Sequence, residues 1–567
     1  MNILGISGST HDSSASLILN NEVFMAIEEE RLTRKKHSIG QKPLNAIKAL
    51  LRNAGISVKD IDLVSYFIDP HLYSAQAPFH VLFRDPQKYL FHPKQYRIKQ
   101  FLNRGKRYIT ELDNLLSEAG LTAPKEYVQH HLAHAAGAFY LSGFDEAMVL
   151  VVDNMGELDS TTLLYGKGKK LNILKTQKIP HSLGMFYAAM TAYLGFKPWD
   201  EEGKVMALAA YGNPIISLEK MVTLTNKGFR IKKAFQMIQT RNYERCYDLG
   251  LVKMFGSARR PEERITQLHK DIAASLQYAT EEVCKHLVSI MHEFTASRKL
   301  CVSGGVALNC KMNGELFKLP IVDEIYVPSA PGDSGSSLGA AVYSLVKHTN
   351  KIPKPIRIAG LGQGFTDEQI FNAISNSGMH FSRINDPAKI AAELLKKEGV
   401  IAWFQGRAEF GPRALGHRSI LALPQNKEIR DFINTMVKHR EQWRPLCPSI
   451  AEKSVKEYLE NSTDGRFMNV AFEATSYARQ RIPAVIHTDN TSRAHAVNSI
   501  ESKQYARLLD IIGETTGDPV LLNTSFNNKG EPIVDSPTDA ISAFRIMPIN
   551  SLLIGNYVVR KNSPKKE

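Results

Sequence analysis

Gln129-His130-His131-Leu132-Ala133-His134 opens an Ala/Gly-rich stretch whose composition predicts a helix. His130 and His134 stand four residues apart, about one helical turn, so both imidazoles can reach one metal ion from one face. Chance alone supplies about 0.6 HxxxH pairs when 18 histidines are spread over 567 residues, so the pair gains weight only from its company. That company is Asp153 and Asp333, each placed just beyond a predicted strand. Two imidazoles with carboxylates and open coordination positions suit Fe(II), Mn(II) or Zn(II). The alternative reading is a pair of histidines on the solvent face of a helix.

His11-Asp12 sits in the first predicted turn, where His11 can act as a general base and Asp12 can orient it. The same dipeptide also fits a turn capped by Asp12 with His11 exposed. Trp199-Asp200-Glu201-Glu202-Gly203-Lys204-Val205-Met206 sets three acids before a Gly-Lys step. The GxxxxGK[ST] spacing of a phosphate-binding P-loop is absent, so the plain reading is a polar loop that starts a helix.

The last third of the chain is richer in cations. Arg407, Arg413 and Arg418 lie in a Gly/Pro-shaped loop from Phe404 to Arg418. Lys438-His439-Arg440-Glu441-Gln442-Trp443-Arg444-Pro445 follows, then Thr491-Ser492-Arg493 and Asn523-Thr524-Ser525-Phe526-Asn527. Arginines and lysines in rigid loops between apolar strands are what a site for several phosphates requires. A solvated face would instead intersperse acids at helical spacing.

These residues need a frame to position them. Asn2–Ile6, Ser16–Leu19 and Val23–Ile27 read as a three-stranded meander with a turn at Asn20-Asn21. A helix carrying Leu44, Ile47, Leu50 and Leu51 on one face follows. The pattern recurs at Ala147–Val152, Thr161–Tyr165 and Leu171–Leu174, with a turn at Gly166–Lys169. A duplicated strand-strand-strand unit, each opening strand ending in an aspartate-bearing loop, suggests the sugar-kinase/actin architecture, in which two halves clasp a nucleotide. Two later strand-to-loop-to-helix junctions, after Leu300-Cys301-Val302 and after Glu324–Val327, carry glycines that admit a phosphate or simply allow tight packing. Lys351-Ile352-Pro353-Lys354-Pro355 cannot be helical and marks the expected domain boundary, giving domains of 1–350 and 351–567.

Composition narrows the function class. Apolar residues at 43 % are enough for sizeable cores, and no apolar run reaches the ~18–20 residues a membrane span needs. The start of the chain lacks the basic and apolar regions of a signal peptide. Five scattered cysteines without a CxxC pair argue for reduced thiols in a cytoplasm and against a zinc ribbon. The net charge of +14 favours anionic partners. Because Lys and Arg are spread along the chain, small anionic substrates are expected rather than nucleic acid. The basic tail Arg560–Lys566 reads as a solvated end.

Taken in order, His11-Asp12, the run Glu28–His37, HHLAHA, Gly203-Lys204-Val205-Met206, SGGVALN, GDSGSSLGAA, EFGPRALGHRSI and LLNTSFN resemble the O-carbamoyltransferase family of antibiotic-tailoring and nodulation enzymes over essentially the whole chain. The resemblance implies an α/β protein with two parts: an actin/sugar-kinase-like domain similar to the tRNA threonylcarbamoyl-adenosine transferase, and a YrdC-like α/β domain. It implies that the second domain turns ATP, with Mg2+, and carbamoyl phosphate into carbamoyl-adenylate. The first domain would then pass the carbamoyl group to a hydroxyl of a small-molecule acceptor. On that likeness His130, His134, Asp153 and Asp333 are ligands of Fe(II) or a similar divalent metal. Gly203, Lys204, Gly304, Gly305 and Asn309 fall where the adenylate is held. Arg413, Lys438, Arg444, Arg493, Asn523 and Ser525 fall on the nucleotide site, with Arg418 added as a further cation of its loop. His11, Asp12, Lys438 and Arg444 are expected to be catalytic. A hydrogenase-maturation enzyme would add an acylphosphatase module and CxxC zinc fingers, which this sequence lacks, and a plain kinase would not need the cation-rich second part. A tRNA-modifying enzyme would make threonylcarbamoyl-adenylate, and the two activities usually sit in separate chains.

Overall fold

The computed structural model describes residues 1–8, 11–84, 102–237, 246–462, 465–500 and 502–561. Ser9 and Thr10 of the first turn and residues 562–566 of the basic tail lie outside them.

The opening apolar stretches form β1 (Ile3–Ser7), β2 (Ser14–Leu19) and β3 (Glu22–Glu28), an antiparallel meander that reverses at Asn20-Asn21. Both asparagines take up left-handed backbone (φ 52° and 70°), which this residue type tolerates better than most. β4 (Leu63–Tyr66) and β5 (Lys125–Tyr127) then add in parallel, giving the order β3-β2-β1-β4-β5.

The same construction repeats. β6 (Glu146–Val152), β7 (Asp159–Lys167) and β8 (Lys170–Lys178) form the second meander. A separate hairpin of β9 (Val222–Thr225) and β10 (Gly228–Ile231) intervenes before β11 (Lys299–Ser303) and β12 (Glu324–Tyr326) join in parallel. The resulting order, β12-β11-β6-β7-β8, is the first sheet's order repeated. This duplicated, helix-flanked sheet is the actin/sugar-kinase arrangement expected from the sequence. Residues 147–152 of β6 are wholly buried because helices cover both faces of the sheet, which is why the strand reads as an unbroken apolar run.

The two halves meet helix against helix. The His130–Ser142 helix packs along the Ser336–Thr349 helix, and Gly339 lies so close to it that a Cβ there would fall 1.9 Å from the carbonyl oxygen of Ala133. Close backbone approach of this kind requires glycine.

Beyond residue 350 the chain is extended, as its prolines demand, and is strapped to the N-terminal region: Ile356 N–H donates to Leu141 O (2.9 Å), and Leu361 O accepts from Ala26 N–H (3.1 Å). The C-terminal region then builds its own sheet. Its strands are β13 (His380–Arg383), β14 (Val400–Phe404), β15 (Arg418–Ala422) and β16 (Cys447–Ala451). A short ribbon of β17 (Phe472–Glu473) and β18 (Thr491–Ser492) precedes β19 (His495–Val497), β20 (Val520–Ser525), β21 (Ser551–Ile554) and β22 (Tyr557–Arg560). The eight-stranded mixed sheet runs β13-β22-β21-β14-β15-β20-β16-β19.

Two of the sequence motifs turn out to hold the regions together. Gly411 of the EFGPRALGHR loop donates its N–H to Glu28 Oε1 (2.8 Å) and accepts from Arg31 Nη2 at its carbonyl (2.7 Å). Arg34 donates to the carbonyls of Ile533 and Pro532, both at 2.7 Å. Gly411 has a φ of 121°, and a Cβ there would lie 2.3 Å from Ser329 O. Gly411→Ala is therefore expected to cost about 1–3 kcal/mol through strain and a backbone clash. The matched control is Gly203→Ala, where a Cβ meets nothing within 4 Å. Thermal unfolding with limited proteolysis of both variants checks this: Gly411→Ala melts lower and is cut faster, whereas Gly203→Ala stays at the wild-type value.

Candidate active site

His130 and His134 project from one face of their helix into the junction of the two halves, and both are nearly inaccessible to solvent. Their Nε2 atoms are 3.1 Å apart. His130 Nε2 lies 3.2 Å from Asp153 Oδ2 and 3.5 Å from Asp333 Oδ1, and His134 Nε2 is also 3.5 Å from Asp333 Oδ1. The four donor atoms lie within 4.8 Å of one another, and this is the single such group among the described residues. The surface-histidine alternative is thereby set aside.

The supporting contacts fit a metal. His130 Nδ1 is 3.3 Å from the carbonyl oxygen of Phe67; donation there leaves Nε2 with its lone pair facing the carboxylates. His134 Nδ1 contacts Ser303 Oγ at 3.4 Å, and that hydroxyl donates to Pro331 O at 3.2 Å. Two lone-pair nitrogens 3.1 Å apart cannot satisfy each other, and the carboxylates of buried Asp153 and half-buried Asp333 would offset the charge of one divalent ion. Protons on the same nitrogens would serve in place of an ion: burial works to neutralise Asp333, but hydrogen bonds from protonated His130 and His134 hold it well below the usual carboxylate range.

Each carboxylate is fixed by a loop that the strand order brings here. Asp153 follows β6, and its Oδ1 accepts from Gly305 N–H at 2.9 Å. Gly304, at φ 92°, passes so near β6 that a Cβ would stand 2.3 Å from Val152 O. The carbonyl of Asp333 accepts from Ser7 Oγ (2.8 Å) and Ser336 Oγ (2.6 Å), which ties it to both halves. Glu157 Oε1 caps the helix by accepting from His130 N–H at 3.0 Å.

His11 stands at the open edge of this cluster, its side chain 45 % exposed. Its Nδ1 is 3.0 Å from Asp12 Oδ2, and its Nε2 is 3.8 Å from Asp333 Oδ2. Burial disfavours the charged ring, but the Asp12 hydrogen bond and the fields of Asp333, Asp12 and Asp153 raise its pKa to about 9. The ring holds a proton tightly while those carboxylates stay uncompensated.

A second cluster has the opposite character. Lys438 is buried with its ammonium against Ser525 O (2.8 Å), Ser525 Oγ (3.3 Å), Asn527 O (2.8 Å) and Asn527 Oδ1 (2.7 Å). Burial, with the fields of Arg440 and Arg444, drives its pKa well below the usual lysine value. Burial and neighbouring arginines likewise pull Arg413 and Arg440 down to about 9. Nε of Arg413 and Nε of Arg493 are buried without a hydrogen-bond partner, and so is Oδ1 of Asn523. Asn523 Nδ2 donates to Ser449 Oγ at 3.0 Å. Arg444 has one carboxylate in reach, Glu441, at 3.8 Å. Crowded, desolvated cations with spare donors call for an anion carrying several negative charges.

Three contacts bind the N-terminal region to this cluster: Lys204 Nζ to Glu441 Oε1 (2.9 Å), Tyr211 Oη to Trp443 O (3.3 Å), and Arg493 Nη1 to Cys310 Sγ (3.9 Å). Arg493 Nη2 meanwhile touches Cys447 Sγ at 3.2 Å.

Two expected binding residues serve the fold instead. Arg418 is fully buried, stacked 3.6 Å over the Phe404 ring, with its guanidinium donating to the carbonyls of Asp535, Gln405, Gly406, His417 and Gln363. All three guanidinium nitrogens are committed to carbonyls of its own surroundings, because the residue opens β15 and closes the loop before it. Asn309 caps the Cys310–Phe317 helix, and its amide is exchanged with that of Gln277 at 2.9 and 3.1 Å. Lys204 is ion-paired to Glu201 as well as Glu441, so Gly203-Lys204 lies at the contact between the regions. Arg440, His37 and Asp200 lie in stretches quoted from the sequence but carry no role there. Arg440 shares its stretch with Lys438 and Arg444, whereas His37 and Asp200 gain meaning only from each other.

The family described as "Carbamoyltransferase N-terminus" matches residues 2–342, and "Carbamoyltransferase C-terminus" matches residues 392–561. Nodulation protein NolNO of Sinorhizobium fredii is 34 % identical over 98 % of this chain and 80 % of its own length. An uncharacterized protein of Synechocystis is 34 % identical over 100 % of this chain and 98 % of its own. Among solved structures, T. kodakarensis HypF aligns with 61 % of this chain and 47 % of its own at 13 % identity and a TM-score of 0.36. Among the described residues, no helix is long and apolar enough to cross a membrane. Matched at both ends by the family's two parts and by NolNO along nearly its full length, the chain belongs to the carbamoyltransferase family and is a transferase enzyme.

Proposed function

We propose that the protein is an ATP-dependent O-carbamoyltransferase acting on a hydroxyl of a small natural product or sugar, with a YrdC-like C-terminal region that makes carbamoyl-adenylate. The observation that carries this reading is the set of buried and half-buried cations Arg413, Lys438, Arg440, Arg444 and Arg493, which among the described residues only Glu441 approaches as an acid at ion-pair distance. Such a set suits the triphosphate of Mg2+-ATP beside the phosphate of carbamoyl phosphate.

In this reading carbamoyl phosphate gives up inorganic phosphate to water and leaves carbamate. A carbamate oxygen attacks the α-phosphorus of ATP, and pyrophosphate departs. Lys438, Arg413 and Arg444 hold the charge that grows on the phosphoryl oxygens, while Asn523 and Ser525 orient them. Carbamoyl-adenylate is short-lived in water, and the tight contact between the regions favours enclosed passage to the first site. There Gly203 and Lys204, in the first turn of the Glu202–Ala209 helix, and Gly304 and Gly305, in the turn after β11, meet the adenylate. The acceptor hydroxyl attacks the carbamoyl carbon, its proton goes to His11 Nε2, oriented by Asp12, and AMP leaves with the electron pair of the broken C–O bond. A divalent transition metal held by His130, His134, Asp153 and Asp333 would polarise the carbamoyl carbonyl and offset the carboxylates whose field keeps His11 protonated.

Lys438→Ala should lower adenylate formation from ATP and carbamoyl phosphate by roughly 10²-fold or more. Transfer from supplied carbamoyl-adenylate should survive, and equal loss in both half-reactions would show that Lys438 belongs elsewhere. His130→Ala or His134→Ala removes one donor from a small ligand set, so elemental analysis should find the transition metal gone. Carbamoyl transfer should vanish with it while adenylate formation persists. A fully active, metal-free wild-type protein would defeat the metal assignment. His11→Asn keeps size but cannot take a proton near neutral pH, so transfer should slow by about 10²-fold with adenylate production unchanged. An unchanged transfer rate would reduce His11 to a turn residue.

A further inference from the structure

The contacts that begin at His11 continue away from the ligand cluster. Asp12 gives Oδ2 to His11 and turns Oδ1 to His37 Nδ1 at 2.8 Å. His37 Nε2 lies 3.0 Å from Asp200 Oδ1, which also receives the ammonium of Lys36, while Asp200 Oδ2 takes Lys197 Nζ at 3.3 Å. The His37 backbone is pinned as well: its N–H donates to Glu30 Oε2 (2.6 Å), and its carbonyl accepts from Asp12 N–H (2.7 Å).

Both ring nitrogens of His37 face carboxylates, so both donate and the ring is an imidazolium. Burial opposes that charge, but the hydrogen bonds to Asp12 and Asp200 push its pKa up to about 10. The junction is also conformationally strained. Asp12, His37 and Trp199, none of them glycine, sit in left-handed backbone at φ 50°, 61° and 64°.

We propose that His37, gripped between Asp12 and Asp200, is a positioning residue for carbamoyl transfer: it fixes the Asp12 carboxylate so that Asp12 turns His11 Nε2 toward Asp333 and the incoming hydroxyl. Asp12 is itself partly exposed, and a carboxylate held by one neutral contact would rotate. A cation locked on its second oxygen removes that freedom, as supporting hydrogen bonds do for a metal ligand. Asp200 holds the cation in place from the segment that also carries Lys204 to Glu441, so the orientation of His11 is tied to the contact between the regions. This inference rests on the transfer reaction proposed above.

The test uses the full chain as wild type, His37→Ala, the near-isosteric Asp200→Asn, and His37→Ala combined with His11→Asn. Histidine-selective 15N spectra read the His11 Nδ1–H without any turnover. It should be protected from exchange in wild type and exchange-broadened in both single variants. Kinetically, AMP release from preformed carbamoyl-adenylate with glycerol as the hydroxyl probe should fall about 10–100-fold in kcat for His37→Ala, with KM for glycerol unchanged and imidazole restoring part of the rate. The double variant should be no slower than His11→Asn alone, because His37 acts only through His11. An unaltered His11 signal in both single variants, or losses that multiply in the double variant, would overturn the proposal. A wild-type protein that makes no carbamoyl-adenylate would defeat the functional reading instead, and the His11 signal would still decide this one.

Discussion

Everything at the first site depends on two helices, one from each half, touching backbone to backbone where Gly339 meets Ala133. That contact brings the HxxxH face within reach of Asp333, which stands just before the second helix. A side chain at Gly339 would push the helices apart, and hydrogen-bond-length geometry tolerates little displacement. Asp153 and His11 arrive from the equivalent turns of the duplicated sheets, after β6 and after β1. The internal symmetry of the fold is thus what assembles two imidazoles, two carboxylates and a third histidine from four distant stretches of chain.

The molecule separates charge by task. One cluster pools carboxylates and lone-pair nitrogens, the donor set of a divalent cation. The other pools half-buried guanidinium groups and a buried ammonium, a donor set that would suit a phosphate chain. Each would be costly to bury alone, and each becomes favourable with a ligand of opposite charge. Between them run Lys204, Glu441 and Arg444, a line of alternating charges that crosses from one region to the other.

The motifs divide along the same lines. EFGPRALGHR looks like a phosphate loop because it is rich in Arg and Gly, yet among its arginines only Arg413 joins the cation cluster. Gly411 is a docking point for Glu28 and Arg31, and Arg418 binds the loop's own carbonyls. Residue types alone do not separate these roles. A buried arginine satisfied by carbonyls and one awaiting a phosphate carry the same letter, and the difference lies in which acceptors the fold has already placed around each.

The opening meander, its repeat at Ala147, the extended segment after residue 350 and the one-turn spacing of His130 and His134 were all legible in the sequence, because they follow from local rules. Apolar runs of strand length, a four-residue spacing equal to one helical turn, and prolines that forbid helix need no tertiary context. The roles of Arg418, Asn309, Arg440, His37 and Asp200 were decided only in three dimensions. Each depends on a partner more than a hundred residues away or on the supply of nearby carbonyls: His37 on Asp200, Arg418 on Asp535. Charge and spacing along a chain determine which groups are available, whereas desolvation and hydrogen-bond supply, set by packing, determine which of them remain free to do chemistry.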